Sequence, residues 1–358
     1  MSQNTNPSQG TSYAAAGVDI EAGDKAVELF APLAKKATRP EVRGGLGGFA
    51  GLFALGEYDK PLLAASSDGV GTKLAVAQAM DKHDTIGKDL VAMCVDDLVV
   101  CGAEPLFLQD YIAIGKVVPE HVASIVAGVA AGCEDAGCAL LGGETAEHPG
   151  VMKEGEYDVS ATAVGVVEED KVLGPDRVRP GDVVIAMASS GLHSNGYSLA
   201  RHVLLDTAQL PLDGHIEELG RTLGEELLEP TYIYAKDCLD LAAECEVHTF
   251  AHITGGGLAN NLARVIPEGL VAELQRNSWT PGPIFDLIAR TGNVAQEEME
   301  KTFNMGVGMV AVVSEEDAER AMAILTARHM KVWRLGEVRT VADGEESGAF
   351  LSGSHPQV

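Results

Sequence analysis

Basic residues are scarce in this chain. Its 358 residues hold 26 lysines and arginines against 53 aspartates and glutamates, a formal charge of −27. So acidic a surface repels phosphate backbones and anionic headgroups, which argues against nucleic acid and anionic membranes as partners. A phosphorylated substrate would have to be held by local donors, helix starts and metal ions. Long apolar runs are missing as well. No stretch of about 18 apolar residues occurs, so no helical membrane span is expected. The polar segment from Met1 to Gly10 has no apolar core of the secretory kind. Cysteine is sparse and never spaced Cys-x-x-Cys: Cys94, Cys101, Cys133, Cys138, Cys238 and Cys245. Reduced, mostly buried thiols in a cytoplasmic protein account for them, and no zinc site is expected. No Walker A loop, Ser-His-Asp arrangement or nucleophile elbow is present either.

What is present is an α/β pattern long enough for two domains. Residues 1–12 read as a disordered N-terminus, rich in Ser, Asn, Gln and Gly. A first domain spans 13–173 and a second 174–345, divided at the turn-rich Gly174-Pro175-Asp176 and Arg179-Pro180-Gly181-Asp182. A flexible tail is expected over 346–358. In the first domain a helix covers about 24–37, and the glycine loop 43–51 follows with no strand before it. Thr85 to Cys101 reads as one helix capped by Thr85. Strands are expected at 106–114, 138–141 and 157–167, with a helix over 119–136. In the second domain strands are expected at 183–188, 249–253, 270–274, 307–313 and 332–338, with helices between them.

The chain is organised around Ser67-Asp68-Gly69-Val70-Gly71-Thr72-Lys73. Gly69 and Gly71 let a backbone approach a ligand, Lys73 offers a compact positive charge, and Asp68 offers a hard oxygen. A glycine turn between strand and helix is the plain alternative. Asp89, Asp96 and Asp97 lie seven and eight residues apart, so all three project toward one side of their helix. For Asp96 and Asp97, flanked by Val and Leu, a buried cation site is the expectation; Asp89 is equally readable as part of a solvated face. The short strand at 138–141 is expected to stop at Gly142-Gly143-Glu144, where α/β proteins hold ligands. His193-Ser194-Asn195 and Thr254-Gly255-Gly256-Gly257 each open a helix after a strand, which suits an anion. The loop with Gly45, Gly47 and Gly48 reads either as a flap over a ligand or as a mobile connector.

These motifs, in order, resemble the phosphoribosylformylglycinamidine cyclo-ligase family. The resemblance runs from Tyr13 to about Val338. It rests on Arg39-Pro40-Glu41-Val42, Gly44 to Phe49, Asp68 to Lys73, His83 to Met93, Gly102 to Leu106, Gly142 to Glu147, His193 to Ser198 and Ala251 to Gly257. The family usually has Asn where this chain has Asp96, and often Thr where it has Ser67. The resemblance implies a homodimer whose N-terminal mixed sheets join into a barrel across the two-fold axis, with a C-terminal α/β layer beside it. It implies an enzyme that uses ATP and Mg2+ to close formylglycinamidine ribonucleotide into 5-aminoimidazole ribonucleotide, releasing ADP and phosphate, in purine biosynthesis. Within it, Asp68, Asp97 and Glu144 would hold magnesium, with Asp96 as a helper. Lys73 would meet ATP phosphates beside Gly69, Gly71, Thr72, Gly142 and Gly143. The Gly45–Gly48 loop would fold over the nucleotide. His193, Ser194, Asn195 and Thr254 to Gly257 would hold the substrate, with Lys73, Asp97 and His193 closest to the chemistry. Sister enzymes using ATP in the same way, and a non-catalytic nucleotide sensor, are the alternatives. A selenide dikinase is excluded because no cysteine precedes Cys94.

Overall fold

The structure is a computed structural model that describes residues 12–13, 16–45 and 48–356. The expectations placed on residues 1–11 and on Gly47 lie outside the described residues.

The first half opens with α1 (Ile20–Ala34), capped by Asp19, whose side chain accepts from Ala22 N. A two-residue pair, β1 (Val42–Arg43) with β2 (Leu52–Phe53), brackets the glycine loop, so a short strand does precede it. Then come β3 (Pro61–Gly69), α2 (Leu74–Met80), α3 (Ile86–Val99), β4 (Glu104–Ile114), α4 (Pro119–Ala136), β5 (Ala139–Glu147) and β6 (Tyr157–Glu168). The strands form one sheet in the order β3-β6-β4-β5, antiparallel except for β4 with β5. Along β6 burial alternates with the pleat: Tyr157, Val159, Ala161 and Ala163 are buried, while Ser160 and Thr162 are exposed. Helices α3 and α4 cover the buried face. They cross where two glycines meet: a Cβ on Gly87 would sit 2.2 Å from Val129 N, and one on Gly128 2.2 Å from Asp84 O. Only bare backbone allows that approach. The opposite face of the sheet is open.

The second half builds a six-stranded mixed sheet. Its elements are β7 (Val183–Ala188), α5 (Tyr197–Arg201), the small pair β8 (His215–Ile216) and β9 (Arg221–Thr222), α6 (Leu223–Leu227), α7 (Ala235–Glu244), β10 (Val247–His252), α8 (Gly257–Ala263), β11 (Leu270–Gln275), α9 (Pro283–Gly292), α10 (Gln296–Thr302), β12 (Val307–Val313), α11 (Ala318–Ala327), β13 (Val332–Thr340) and β14 (Gly348–Ser352). The strand order is β10-β12-β7-β13-β11-β14. Every residue of β12 is buried, which explains its unbroken apolar run.

Three local expectations fail. The 346–358 tail contains β14, which pairs in parallel with β11 from Val271–Gly348 to Gln275–Ser352. Edge pairing orders this short segment, whose apolar Ala349-Phe350-Leu351 is set between Gly and Ser. Thr85 does not cap α3; its hydroxyl is buried with no partner. The strand at 138–141 continues through Gly142, Gly143 and Glu144 to Glu147, because β4 supplies a parallel partner at each position.

Candidate functional site

The two halves meet along α3. Its three acids do face one side, and what they meet there is the second half of the chain. Asp89, fully buried, accepts from Thr231 N at 2.8 Å and Thr231 Oγ1 at 2.6 Å. Asp96, also fully buried, accepts from Tyr234 N at 2.9 Å. Asp97 keeps 45% of its side chain exposed and accepts from His252 Nδ1 at 2.9 Å.

Lys73 corrects the first expectation. It is fully buried, and its three ammonium protons are spent on Asp89 Oδ1 (2.9 Å), His193 O (3.0 Å) and Glu229 O (2.6 Å). None is left for a phosphate. Burial draws its pKa down, and the Asp89 charge opposes the fall. Lys73 therefore joins α3, the His193 loop and the Glu229 turn. Asp96 corrects the second. Next to Asp97 in sequence, it lies about 100° around the helix and points into the Tyr234 turn. Burial pushes its carboxyl up to about 7, and its Oδ2 has no partner among the described residues. It is no metal helper.

Glu144 corrects the third. Asp68 pairs with Ala161, Ala161 with Asp110, and Asp110 with Gly143, so these four share a row and a face. Glu144 lies one position on, paired with Tyr111, and so projects from the opposite, open face. Three strand spacings put it roughly 14 Å from Asp68. Within this chain it does not meet Asp68 and Asp97. Its Oε1 accepts from Thr145 N instead.

The remaining residues fall into two groups. The first lies at the seam between the halves. Partial desolvation raises the Asp68 pKa; the Gly69 N–H opposes this, while the Asp97 charge adds to it. Burial works to lower the His252 pKa, but the Asp97 hydrogen bond and the charges of Asp96, Asp97 and Asp68 outweigh it and raise it. Thr72 Oγ1 lies 3.1 Å from Ser198 Oγ, and Gly71 faces Ser194 O. The Asp68–Lys73 stretch thus docks on the His193 loop. The two loops of the second half also touch: a Cβ on Gly255 would sit 3.4 Å from Asn195 Oδ1. His193 is buried, with φ of 63°. Its Nε2 accepts from Ser190 N at 3.1 Å, so its proton sits on Nδ1, a buried donor with no partner among the described residues. Burial, then the His252 and Lys73 charges, hold this ring neutral by lowering its pKa.

The second group surrounds a cavity of about 360 Å³ between α1, the glycine loop and β5. Gly45, Gly48, Gly142, Gly143 and Glu144 line it, with Phe30, Leu141 and Asp110. Asp110 is buried against the bare face of Gly143, where a Cβ would fall 1.8 Å from Asp110 Oδ1. Burial pushes this carboxyl up to about 7. A larger opening of about 680 Å³, bordered by Lys88, Thr231, Lys236 and Arg328, holds none of the expected residues.

Sequence reasoning passed over three residues. His252 ends β10 just before the glycine loop, a position that could have marked it. Asp110 is hidden in an apolar strand, with only its charge to betray it. Asn261 shapes the second loop, its Nδ2 reaching Gly255 O (3.1 Å) and Gly257 O (2.9 Å) while its Oδ1 accepts from Thr254 Oγ1 (3.1 Å). Nothing in its helical surroundings signals that.

Comparison with known proteins matches both halves. Residues 50–167 match the family AIR synthase related protein, N-terminal domain, and residues 179–347 its C-terminal domain. A phosphoribosylformylglycinamidine cyclo-ligase of Myxococcus xanthus is 54% identical over 331 residues, covering 92% of this chain and 96% of its own. One from Desulfitobacterium hafniense is 52% identical over 337 residues, covering 94% and 98%. Among solved structures, hydrogenase maturation protein HypE in complex with ATP superposes with a TM-score of 0.64 at 18% identity, covering 92% of this chain and 91% of its own. Thiamine-monophosphate kinase from Stenotrophomonas maltophilia gives 0.63 at 17%, covering 90% and 95%. At such identities these two speak for the fold alone.

Proposed function

The chain belongs to the phosphoribosylformylglycinamidine cyclo-ligase family, and from that premise we infer how its own residues serve the reaction. The activity is ATP-dependent closure of formylglycinamidine ribonucleotide to 5-aminoimidazole ribonucleotide, with release of ADP and phosphate, a step of purine biosynthesis. An amide oxygen is a poor leaving group. Attack of the formyl oxygen on the γ-phosphorus turns it into a good one. An amidine nitrogen then attacks the activated carbon, the ring closes, and phosphate departs with the oxygen. Positioning and charge neutralisation carry such a reaction.

Asp68 and Asp97 form the carboxylate pair, and oxygen donors of this kind fit a hard cation. Mg2+ held there would neutralise charge on the triphosphate oxygens. His252 fixes the Asp97 carboxylate through its Nδ1 proton, and the acids around it favour its charged form. His193, with its unmet Nδ1 donor, and the Ser194, Asn195 and Thr254 to Gly257 backbone take the ribonucleotide phosphate. The cavity lined by Gly45, Gly48, Gly142, Gly143 and Glu144 takes the nucleotide base and ribose, since its walls mix apolar and polar groups and carry no cation for phosphates.

Cavity and carboxylate pair stand apart in one protomer, so a second copy is needed to complete the site. The open sheet face with Glu144, Tyr111 and Thr162, and the exposed Leu62 and Leu63 of edge strand β3, support closure of two sheets into a barrel. The cavity of one copy then serves the carboxylates of the other.

The observation that carries the reading is the seam itself, where α3 and the Asp68–Lys73 stretch meet both glycine loops. Purified protein incubated with ATP, Mg2+ and formylglycinamidine ribonucleotide should yield ADP and the aminoimidazole in equal amounts. ADP release without the ribonucleotide, or no product with it, overturns the reading. A nucleotide sensor is not favoured, because the chain keeps the length and identity of the cyclo-ligases throughout.

A further inference from the structure

A cluster of chemistry-bearing side chains lies outside both groups. Asp81, His83 and His121 come from three places: the residue after α2, the turn before α3, and the first turn of α4. One donor atom from each lies within 4.8 Å of the other two. His83 Nε2 is 3.1 Å and His121 Nε2 3.4 Å from the same oxygen, Asp81 Oδ1. The two imidazoles stand 4.3 Å apart between centroids. We propose that Asp81, His83 and His121 form a binding site for a borderline divalent cation of the zinc type.

The donor set and spacing argue for it. Two imidazoles and one carboxylate suit zinc; magnesium and calcium prefer all-oxygen shells. Bonds of about 2.0–2.1 Å in a tetrahedron give ligand–ligand edges of about 3.3 Å. The distances of 3.1 and 3.4 Å bracket that edge. Without a cation, two ring nitrogens compete for one oxygen; a cation in their midst serves all three at once. The outer contact is also in place. His83 is buried, and its Nδ1 lies 2.9 Å from Tyr157 Oη. Donation of the Nδ1 proton to Tyr157 leaves the Nε2 lone pair facing Asp81 and His121, the tautomer a metal ligand needs. Asp81 is 80% exposed in its side chain, so the fourth position opens to solvent. Asp81 holds a left-handed φ of 49°, which turns the chain sharply from α2 toward His83.

The location suggests what the cation does. The cluster ties the α2–α3 turn to the start of α4, next to the glycine crossing where Asp84 O meets Gly128. A cation there staples the two helices that cover the first sheet. This site is independent of the cyclo-ligase reading, since none of its three residues belongs to the seam or the cavity. The lack of Cys-x-x-Cys spacing does not bear on this site, which is built from histidine and aspartate alone.

The test is zinc titration of the full chain, stripped with chelator and held in excess Mg2+ so that oxygen sites are filled. Calorimetry should give one Zn2+ per chain. Co2+ in its place should give visible bands of tetrahedral intensity. His121→Ala should weaken Zn2+ binding at least tenfold and abolish those bands, while cyclo-ligase turnover with Mg2+ stays at the wild-type level. Asp81→Asn, a change at an exposed carboxylate, should do the same and stands in if His121→Ala fails to fold. No zinc uptake by the wild type at micromolar zinc overturns the proposal. So does uptake that both variants leave unchanged.

Discussion

His252 Nδ1 donates to Asp97 Oδ1 at 2.9 Å, across 155 positions of sequence. The bond joins the last turn of α3 to the end of β10, so it exists only when the two halves are docked. It also holds the Asp97 carboxylate in a fixed pose beside a ring whose pKa is raised by that bond and by the acids around it. The other two acids of α3 latch the same seam: Asp89 through Thr231, and Asp96 through Tyr234. The helix that docks the domains is thus the one that presents Asp97.

Lys73 is predicted to act on stability before affinity. Lys73→Met leaves Asp89 buried without its cation and two backbone carbonyls without a donor. Removing one partner of a buried pair costs about 3–5 kcal/mol. Urea unfolding should show a loss of that order. A variant of unchanged stability that only raises the KM for ATP would return Lys73 to the phosphates.

Asp96→Asn should stabilise the protein in a pH-dependent way. The folded carboxyl titrates at about 7, against an ordinary value of 3.8. A raised pKa means that the wild type is best served below pH 3.8 and loses stability as pH rises through 7. Asn keeps the bond from Tyr234 N through its Oδ1 and does not titrate in this range. Its advantage should therefore grow from about pH 4 to pH 7 and level off above, reaching a few kcal/mol. Denaturation midpoints of both proteins across that range check it; a constant difference contradicts it.

Gly143→Ala should crowd Asp110. The added methyl falls 1.8 Å from Asp110 Oδ1, inside the cavity assigned to the nucleotide. Overpacking of this kind costs about 1–3 kcal/mol. ATP affinity should fall more than affinity for the ribonucleotide, measured by equilibrium binding of each. An equal fall in both would place the nucleotide elsewhere.

Sites shared between two copies should complement. Asp97→Asn, which removes a cation ligand, and Glu144→Gln, which removes the carboxylate from the nucleotide cavity, should each turn over far more slowly than wild type alone. Unfolded together in equal amounts and refolded, they should recover about a quarter of wild-type activity, because half the dimers are mixed and each has one intact site. No recovery in a mixture shown to contain mixed dimers contradicts a shared site.

Much of the architecture was legible because strands buried on both faces read as unbroken apolar runs. Val183–Ala188 and Val307–Val313 are such strands, and their ends match the sequence reading. Glycine loops before helices were legible for the same local reason. Three things were not. Helical periodicity puts Asp89, Asp96 and Asp97 toward one side but cannot say which meets a backbone amide and which meets water. A lysine beside glycines reads as a phosphate ligand until its neighbours are known, and those of Lys73 lie 16, 120 and 156 positions away. The face that Glu144 takes depends on its pairing with β4, and the placement of β14 depends on β11. Register between distant strands is a tertiary fact that no local pattern encodes.

Asp97, held by His252 at the seam, is expected to handle the charge of the reacting phosphate. Turnover of Asp97→Ala, with its fold checked by circular dichroism and thermal melting, tests this most directly. A loss of at least about a thousandfold in kcat is expected, with secondary structure and melting temperature close to wild type. A folded Asp97→Ala protein that cyclises at a near-normal rate contradicts it.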